Sequence, residues 1–224
     1  MKTLDAVEIE TGRDPAASVL WLHGLGADGH DFEPIVPELV KPGDPPIRFV
    51  FPHAPVRPVT LNAGYAMRAW YDIIGLDRQA RQDEVGIREA DSAIRSLIER
   101  ENERGVPASR IVLAGFSQGG AMALYSGTRL KEKLAGIMGL SCYMLMASTF
   151  AAARSEANRS TPIFLAHGTY DPVVAPQLGE ETRGLLESAG YPVEWHAYPM
   201  PHSVSPDEVA DIARWLRRCL GEQH

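Results

Sequence analysis

The chain has little cysteine, no long apolar run and a deficit of positive charge. Only two cysteines, Cys142 and Cys219, occur in 224 residues, far apart in sequence, which points to reduced thiols rather than a disulfide framework. No apolar run reaches the roughly eighteen residues that a membrane span requires, so stable membrane insertion is not expected. The N-terminus, Met-Lys-Thr-Leu-Asp-Ala-Val-Glu, carries charges where a secretory signal needs an apolar region, and a cytoplasmic protein is expected. With 22 basic against 29 acidic residues, the formal net charge of -7 argues against nucleic acid and anionic membrane surfaces as partners. The densest basic cluster, Arg214 with Arg217 and Arg218, falls at helical spacing and reads as a solvated helix face. Neither a Gly-x-Gly-x-x-Gly fingerprint nor a P-loop is present, so no nucleotide cofactor is expected. No repeat, low-complexity tract or linker divides the chain, and residues 1–224 read as a single domain.

What is present is an alternation of strand-like and helix-like segments. Apolar runs recur at 18–22, 47–51, 110–114, 134–140, 162–166 and 193–198. Runs such as Ile-Val-Leu-Ala and Ile-Phe-Leu-Ala are apolar at every position, as strands of a parallel sheet covered on both faces must be. Residues 4–10 alternate instead, which suits an antiparallel edge. Helical spacing runs over 84–104 through Val85, Ile87, Ala90, Ile94, Leu97 and Ile98, with Gly105 and Pro107 as stop signals. Further helices are expected at 118–130, 176–188 and 206–220, the last with Ser205 as N-cap. The order implies an α/β fold: a mostly parallel, doubly wound sheet with helices on both faces, no large cap domain, and ligands beyond the carboxyl ends of the strands. Two stretches, 52–80 and 141–161, are too long for plain connections and read as walls of an active-site cleft, with Trp70, Tyr71 and Phe150 as core caps in the alternative.

Gly115-Phe116-Ser117-Gln118-Gly119 follows one of these strands and precedes a helix. A serine on a sharp strand-to-helix turn lifts its hydroxyl above the sheet, and its strained backbone requires small neighbours two residues before and after, here Gly115 and Gly119. Ser141 and Ser203 lack such flanking glycines. A serine hydroxyl attacks only when an imidazole takes its proton and a carboxylate orients that imidazole. In a sheet of this kind the partners follow in the order acid, then histidine, on later loops. Asp171 lies after the strand ending at Ala166, and His202 lies between the final strand and the last helix. His196 lies within a strand, His167 precedes the acid loop and could pack beneath it, and Asp207 and Asp211 belong to the last helix.

The first buried strand runs into His23-Gly24-Leu25-Gly26, whose glycines let the backbone approach the nucleophile. The amide of Leu25 can then stabilise an oxyanion beside the amide of Gln118. His23, Asp28, His30 and Asp31 match no zinc spacing, and a serine hydrolase needs no metal, so no metal is expected.

His23-Gly24-Leu25-Gly26, the run Pro52 to Thr60, Trp70-Tyr71-Asp72-Ile73, Gly115 to Gly120 and the His202-Ser203 pair together resemble the acyl-protein thioesterase and carboxylesterase family of α/β-hydrolases, its compact bacterial carboxylesterase branch most of all. The resemblance implies a cofactor-free serine carboxylesterase acting on small-molecule or lipid esters of short or medium acyl length. Acyl-protein thioesterase and lysophospholipase are its alternatives, and a catalytically inactive hydrolase-fold binding protein is a reading of another class. It implies Ser117, Asp171 and His202 as nucleophile, acid and base, and the amides of Leu25 and Gln118 as oxyanion donors. Chain position suggests Trp70, Tyr71 and Met144 as acyl contacts. Similar proteins form weak homodimers, which leaves a weak homodimer open.

Overall fold

A computed structural model describes residues 4–75 and 81–221. In chain order its elements are β1 (Ala6–Glu10), β2 (Ala17–Leu22), α1 (Val36–Leu39), β3 (Ile47–Pro52), β4 (Val56–Val59), β5 (Tyr65–Arg68), α2 (Glu84–Glu103) and β6 (Ile111–Phe116). There follow α3 (Gln118–Gly127), β7 (Gly136–Leu140), α4 (Phe150–Ala153), β8 (Ile163–Gly168), α5 (Pro176–Ser188), β9 (Val193–Tyr198) and α6 (Pro206–Leu220). Seven strands form one sheet in the order β1-β3-β2-β6-β7-β8-β9. Only β1 runs antiparallel, against β3 at one edge. That is the position its alternating sequence suits, whereas β2, β3 and β8 are buried at every residue.

Strand residues divide between two cores by the two-residue period. Leu20, Leu22, Leu113 and Leu165 face α2, α3 and α5, while Val19, Trp21, Ala114 and Phe164 face α1 and α6. From β2 the chain crosses first to β3 on one side and later to β6 on the other, so the strand order reverses between β2 and β6. A crevice must open beyond the carboxyl ends of those two strands, between the loop after β2 and the turn after β6.

The α2 face differs from its periodic reading. Val85 is exposed, and Glu101 takes a fully buried place on the same helix. Its carboxylate accepts from Ser18 Oγ at 2.6 Å and Arg48 at 2.8 Å, and pairs with Arg104 at 2.8 Å, which ties α2 to β2 and β3. Burial alone would lift this carboxyl, and the Ser18 hydroxyl and the guanidinium groups outweigh it and hold it below its ordinary value.

Of the two long connections, 52–80 contains an element that composition hid. β4 and β5 pair as an antiparallel hairpin around a turn in which Ala63 and Gly64 both have positive φ. Pro58 within β4 argues against a strand, but a two-stranded ribbon has free edges that tolerate a missing donor. Residues 76–80 of that stretch lie outside the described residues.

Helix α6 begins with the N-cap expected at Ser205, closed by a capping box with Glu208. The Glu208 side chain is fully buried and its Oε1 has no partner. Burial pushes this carboxyl up to about 8 from an ordinary 4.5. The native state therefore prefers the protonated form. Its contribution is fully present below the ordinary carboxylate range and is lost as pH rises through the folded value. We expect the melting temperature of the wild type to fall, relative to a Glu208→Gln variant, as pH rises from about 5 to about 8, and the difference to stay level below and above that window. Parallel melting profiles across that range would mean that Glu208 is ionised in the fold.

Candidate active site

Ser117 occupies the turn between β6 and α3 with φ 54° and ψ -119°, a conformation that side-chain-bearing residues avoid. The turn is held from both sides: the Ser117 amide donates to Leu140 O at 2.8 Å, and its carbonyl accepts from Ala121 N at 3.0 Å. Close approach explains the flanking glycine. A Cβ on Gly119 would stand 2.2 Å from Leu22 O and 2.5 Å from His23 O, so only glycine lets α3 start against the end of β2.

The three side chains selected from sequence meet at this turn. Ser117 Oγ lies 2.9 Å from His202 Nε2, and His202 Nδ1 lies 2.7 Å from Asp171 Oδ2. A carboxylate only accepts, so neutral His202 carries its proton on Nδ1 and leaves Nε2 free to accept from the serine hydroxyl. The buried Asp171 has its other oxygen occupied by the amides of Val173 and Val174, at 2.8 and 2.9 Å. Those bonds fix the carboxylate plane. The acid and base loops are laced to each other, with Thr169 N donating to Tyr198 O at 2.8 Å and Tyr170 N to Met200 O at 3.1 Å.

The competing residues have other work. His167 is buried beneath the acid loop, its Nε2 2.9 Å from Val174 O. His196 stacks on Phe164 and meets Glu194 at 3.0 Å. Asp211 accepts from Tyr198 Oη at 2.8 Å and pairs with Arg214, while Arg218 pairs with Glu194 and Arg217 faces Asp44. Asp28 accepts from the His30 amide at 2.8 Å, and His30 meets Glu33 at 2.9 Å. Cys142 is buried, and burial pushes its thiol far above the ordinary range.

Gln118 adjoins Ser117 in the chain, and Leu25 follows Gly24 in the loop after β2. Gln118 opens α3, so its amide has no carbonyl one turn back. A Cβ on Gly24 would lie 3.4 Å from Ser117 Cβ, so Gly24 packs close to the serine. No acceptor takes the Leu25 amide among the described residues.

Next to Asp171 opens a cleft of about 470 Å³, lined by Tyr71, Ile73, Met144, Val173, Leu178 and others. Both long connections contribute walls, through residues 71–75 and through Tyr143, Met144 and Ala147. Of the three residues expected as acyl contacts, Tyr71 and Met144 line this cleft and Trp70 does not. It is fully buried beneath the cleft, with its indole N–H on His23 O at 2.9 Å. The indole needed a partner that the interior supplied, and the alternation of neighbouring residues left Tyr71 to face the cleft. Phe150 is likewise buried in the core, within 6.0 Å of the Tyr191 ring.

The Gln118 side chain was not singled out from sequence. It is buried, accepting from Trp70 N at 2.9 Å and donating to Tyr71 O at 2.8 Å. The apolar setting of the motif gave one signal: a long amide in a strand-to-helix turn needs partners for both ends.

A family model described as phospholipase/carboxylesterase matches residues 4–220. Acyl-protein thioesterase 1 of Neurospora crassa is 44% identical over 213 residues, covering 91% of this chain and 87% of that protein. Acyl-protein thioesterase 1 of Yarrowia lipolytica is 39% identical over 227 residues, 99% of this chain and 100% of the other. Among solved structures, Arabidopsis thaliana SOBER1 superposes with a TM-score of 0.84 at 32% identity, over 91% of this chain and 99% of that one. Zea mays acyl-protein thioesterase 2 gives 0.84 at 28% identity, over 97% and 100%.

The Gly119 contact yields a direct expectation. Gly119→Ala should destabilise the fold by about 1–3 kcal/mol, because the obstacles are backbone carbonyls, and should lower serine-probe labelling even where the variant stays folded. Wild-type labelling and melting temperature in that variant would show that α3 can retreat from β2 without cost.

Proposed function

The chain belongs to the phospholipase/carboxylesterase family and is a serine hydrolase, and on that premise we propose that it cleaves acyl thioesters on protein cysteines through an acyl-enzyme on Ser117. The observation that carries this reading is the continuous hydrogen-bond chain from Ser117 Oγ through His202 to Asp171, whose Asp171 end borders a cleft lined by Tyr71, Met144, Val173 and Leu178 together with Asp72, Arg81 and Glu181. A cleft of about 470 Å³ lies within the range that small-molecule sites occupy, and the relatives named acyl-protein thioesterase favour the thioester over the short-chain carboxylic ester.

The reaction runs in two halves. His202 Nε2 takes the Ser117 proton as Oγ attacks the acyl carbonyl, and the oxyanion is held by the amides of Leu25 and Gln118. The tetrahedral intermediate collapses, the C–S bond breaks, and the imidazolium returns its proton to the departing thiolate. Water, deprotonated by the same nitrogen, then attacks the acyl-serine, and the acid and free serine are released. Thiolates leave more readily than alkoxides, because the cysteine thiol has a pKa of about 8.5. Proton donation by His202 therefore matters more for oxygen esters than for thioesters. The acyl chain lies in the cleft along Tyr71 and Met144. All the residues in this scheme come from one chain, so a homodimer is not required for chemistry. Among the described residues no helix is long and apolar enough to cross a membrane; a cytoplasmic place for the enzyme is part of the proposal.

Ser117→Ala should lower kcat by about 10⁴ to 10⁶, and Asp171→Asn by about 10⁴, measured on purified protein. A Ser117→Ala enzyme that kept most of its rate would remove the nucleophile assignment. For the substrate, kcat/KM for an S-acylated peptide should exceed that for a short p-nitrophenyl ester. The reverse order would favour a short-chain carboxylesterase.

A further inference from the structure

The loop after β2 contains a buried histidine that the mechanism above does not use. The His23 ring is almost wholly inaccessible, and both nitrogens are engaged. Ala54 N–H donates to Nε2 at 3.0 Å, so Nε2 holds a lone pair and the ring proton sits on Nδ1. Nδ1 lies 2.7 Å from Gly24 O and donates to it. Burial lowers the basicity of this imidazole, in keeping with a ring that must stay neutral to accept from Ala54.

The carbonyl of Gly24 and the amide of Leu25 belong to one peptide unit. In a planar trans peptide the C=O and N–H point in opposite directions, so a bond that fixes one aims the other. A second brace acts on the same loop. Trp70 Nε1 donates to His23 O at 2.9 Å, while Trp70 N–H is held by the Gln118 side chain at 2.9 Å. The loop bearing the Leu25 amide and the turn bearing the Gln118 amide are thus joined through one buried tryptophan, by its indole N–H on one side and its main-chain N–H on the other, with the His23 and Trp70 rings 5.3 Å apart.

We propose that His23 is a positioning residue that aims the Leu25 N–H at the developing oxyanion, with Trp70 holding that loop in register with Gln118. The inference rests on the reading of Leu25 and Gln118 as oxyanion donors. A wrongly aimed donor stabilises the transition state less while leaving ground-state binding of the acyl chain intact.

The test compares wild type, His23→Leu, His23→Asn and Trp70→Phe on a p-nitrophenyl ester and its thiono counterpart, in which sulfur replaces the carbonyl oxygen. Sulfur is a weak acceptor, so a working oxyanion site prefers the oxygen ester. His23→Leu should lose about tenfold to a hundredfold in kcat with KM nearly unchanged, and its oxo-to-thiono rate ratio should shrink. His23→Asn, which keeps a donor near the Nδ1 position, should recover part of both, and Trp70→Phe should shift both in the direction of His23→Leu. Folded His23→Leu and Trp70→Phe enzymes with wild-type kcat and rate ratio would overturn the proposal while leaving the oxyanion reading standing. A wild type that itself fails to distinguish the two esters would remove the oxyanion reading, and the proposal with it. Should the variants not fold, nitrogen NMR of the wild-type imidazole decides: the Nδ1–H tautomer is expected at neutral pH, and an Nε2–H tautomer or an imidazolium would overturn the proposal.

Discussion

The site depends on one strained turn. Ser117 is held at φ 54° because β6 must end and α3 must begin within a single residue, with the helix pressed against the carbonyls that close β2. Such a conformation costs about 1–3 kcal/mol and persists only where the surroundings over-determine it. Here they do so through the bond to Leu140 O, the bond from Ala121 N and the absence of a side chain at Gly119. The strain presents Oγ to the crevice at the reversal of strand order, where the loops after β2, β6, β8 and β9 can all reach it.

Around that turn Ser117, Asp171 and His202 come from different loops, and each loop is fixed by hydrogen bonds within itself or to a neighbouring segment. Asp171 is set by the amides of Val173 and Val174, and the His202 loop is laced to the acid loop. The loop after β2 is set by the His23 ring. At Asp171 and His23 the buried polar groups are paired, which matters because a buried donor or acceptor left unpaired costs more than the bond itself contributes. The cleft beside the acid mixes apolar side chains such as Met144, Val173 and Leu178 with the charged Asp72, Arg81 and Glu181.

Much of this was legible in the sequence because two signals are strong. Continuous apolar runs identified the buried strands, and alternation placed β1 at an antiparallel edge, since burial on two faces or one leaves different patterns. That Ser117, Asp171 and His202 meet was readable from their places after three of the parallel strands, β6, β8 and β9. What escaped was set by tertiary context. Val85 fits the period of α2 yet is exposed, while Glu101 is buried because Ser18, Arg48 and Arg104 meet it there. The hairpin β4–β5 was hidden by Pro58, and its turn by an alanine with positive φ before Gly64. Trp70 was read as a wall of the cleft because sequence cannot tell which of two adjacent aromatics faces inward. Its indole partner, His23 O, lies 47 residues away along the chain.

The central claim is that acyl transfer passes through a covalent ester on the serine of the strained turn. Rapid quenching of the enzyme with a long-chain acyl thioester, followed by peptide mass spectrometry, tests it directly. The account predicts one added acyl mass, on the peptide containing Ser117. Turnover with no acylated peptide, or with the acyl group on Cys142 or another serine, would contradict it.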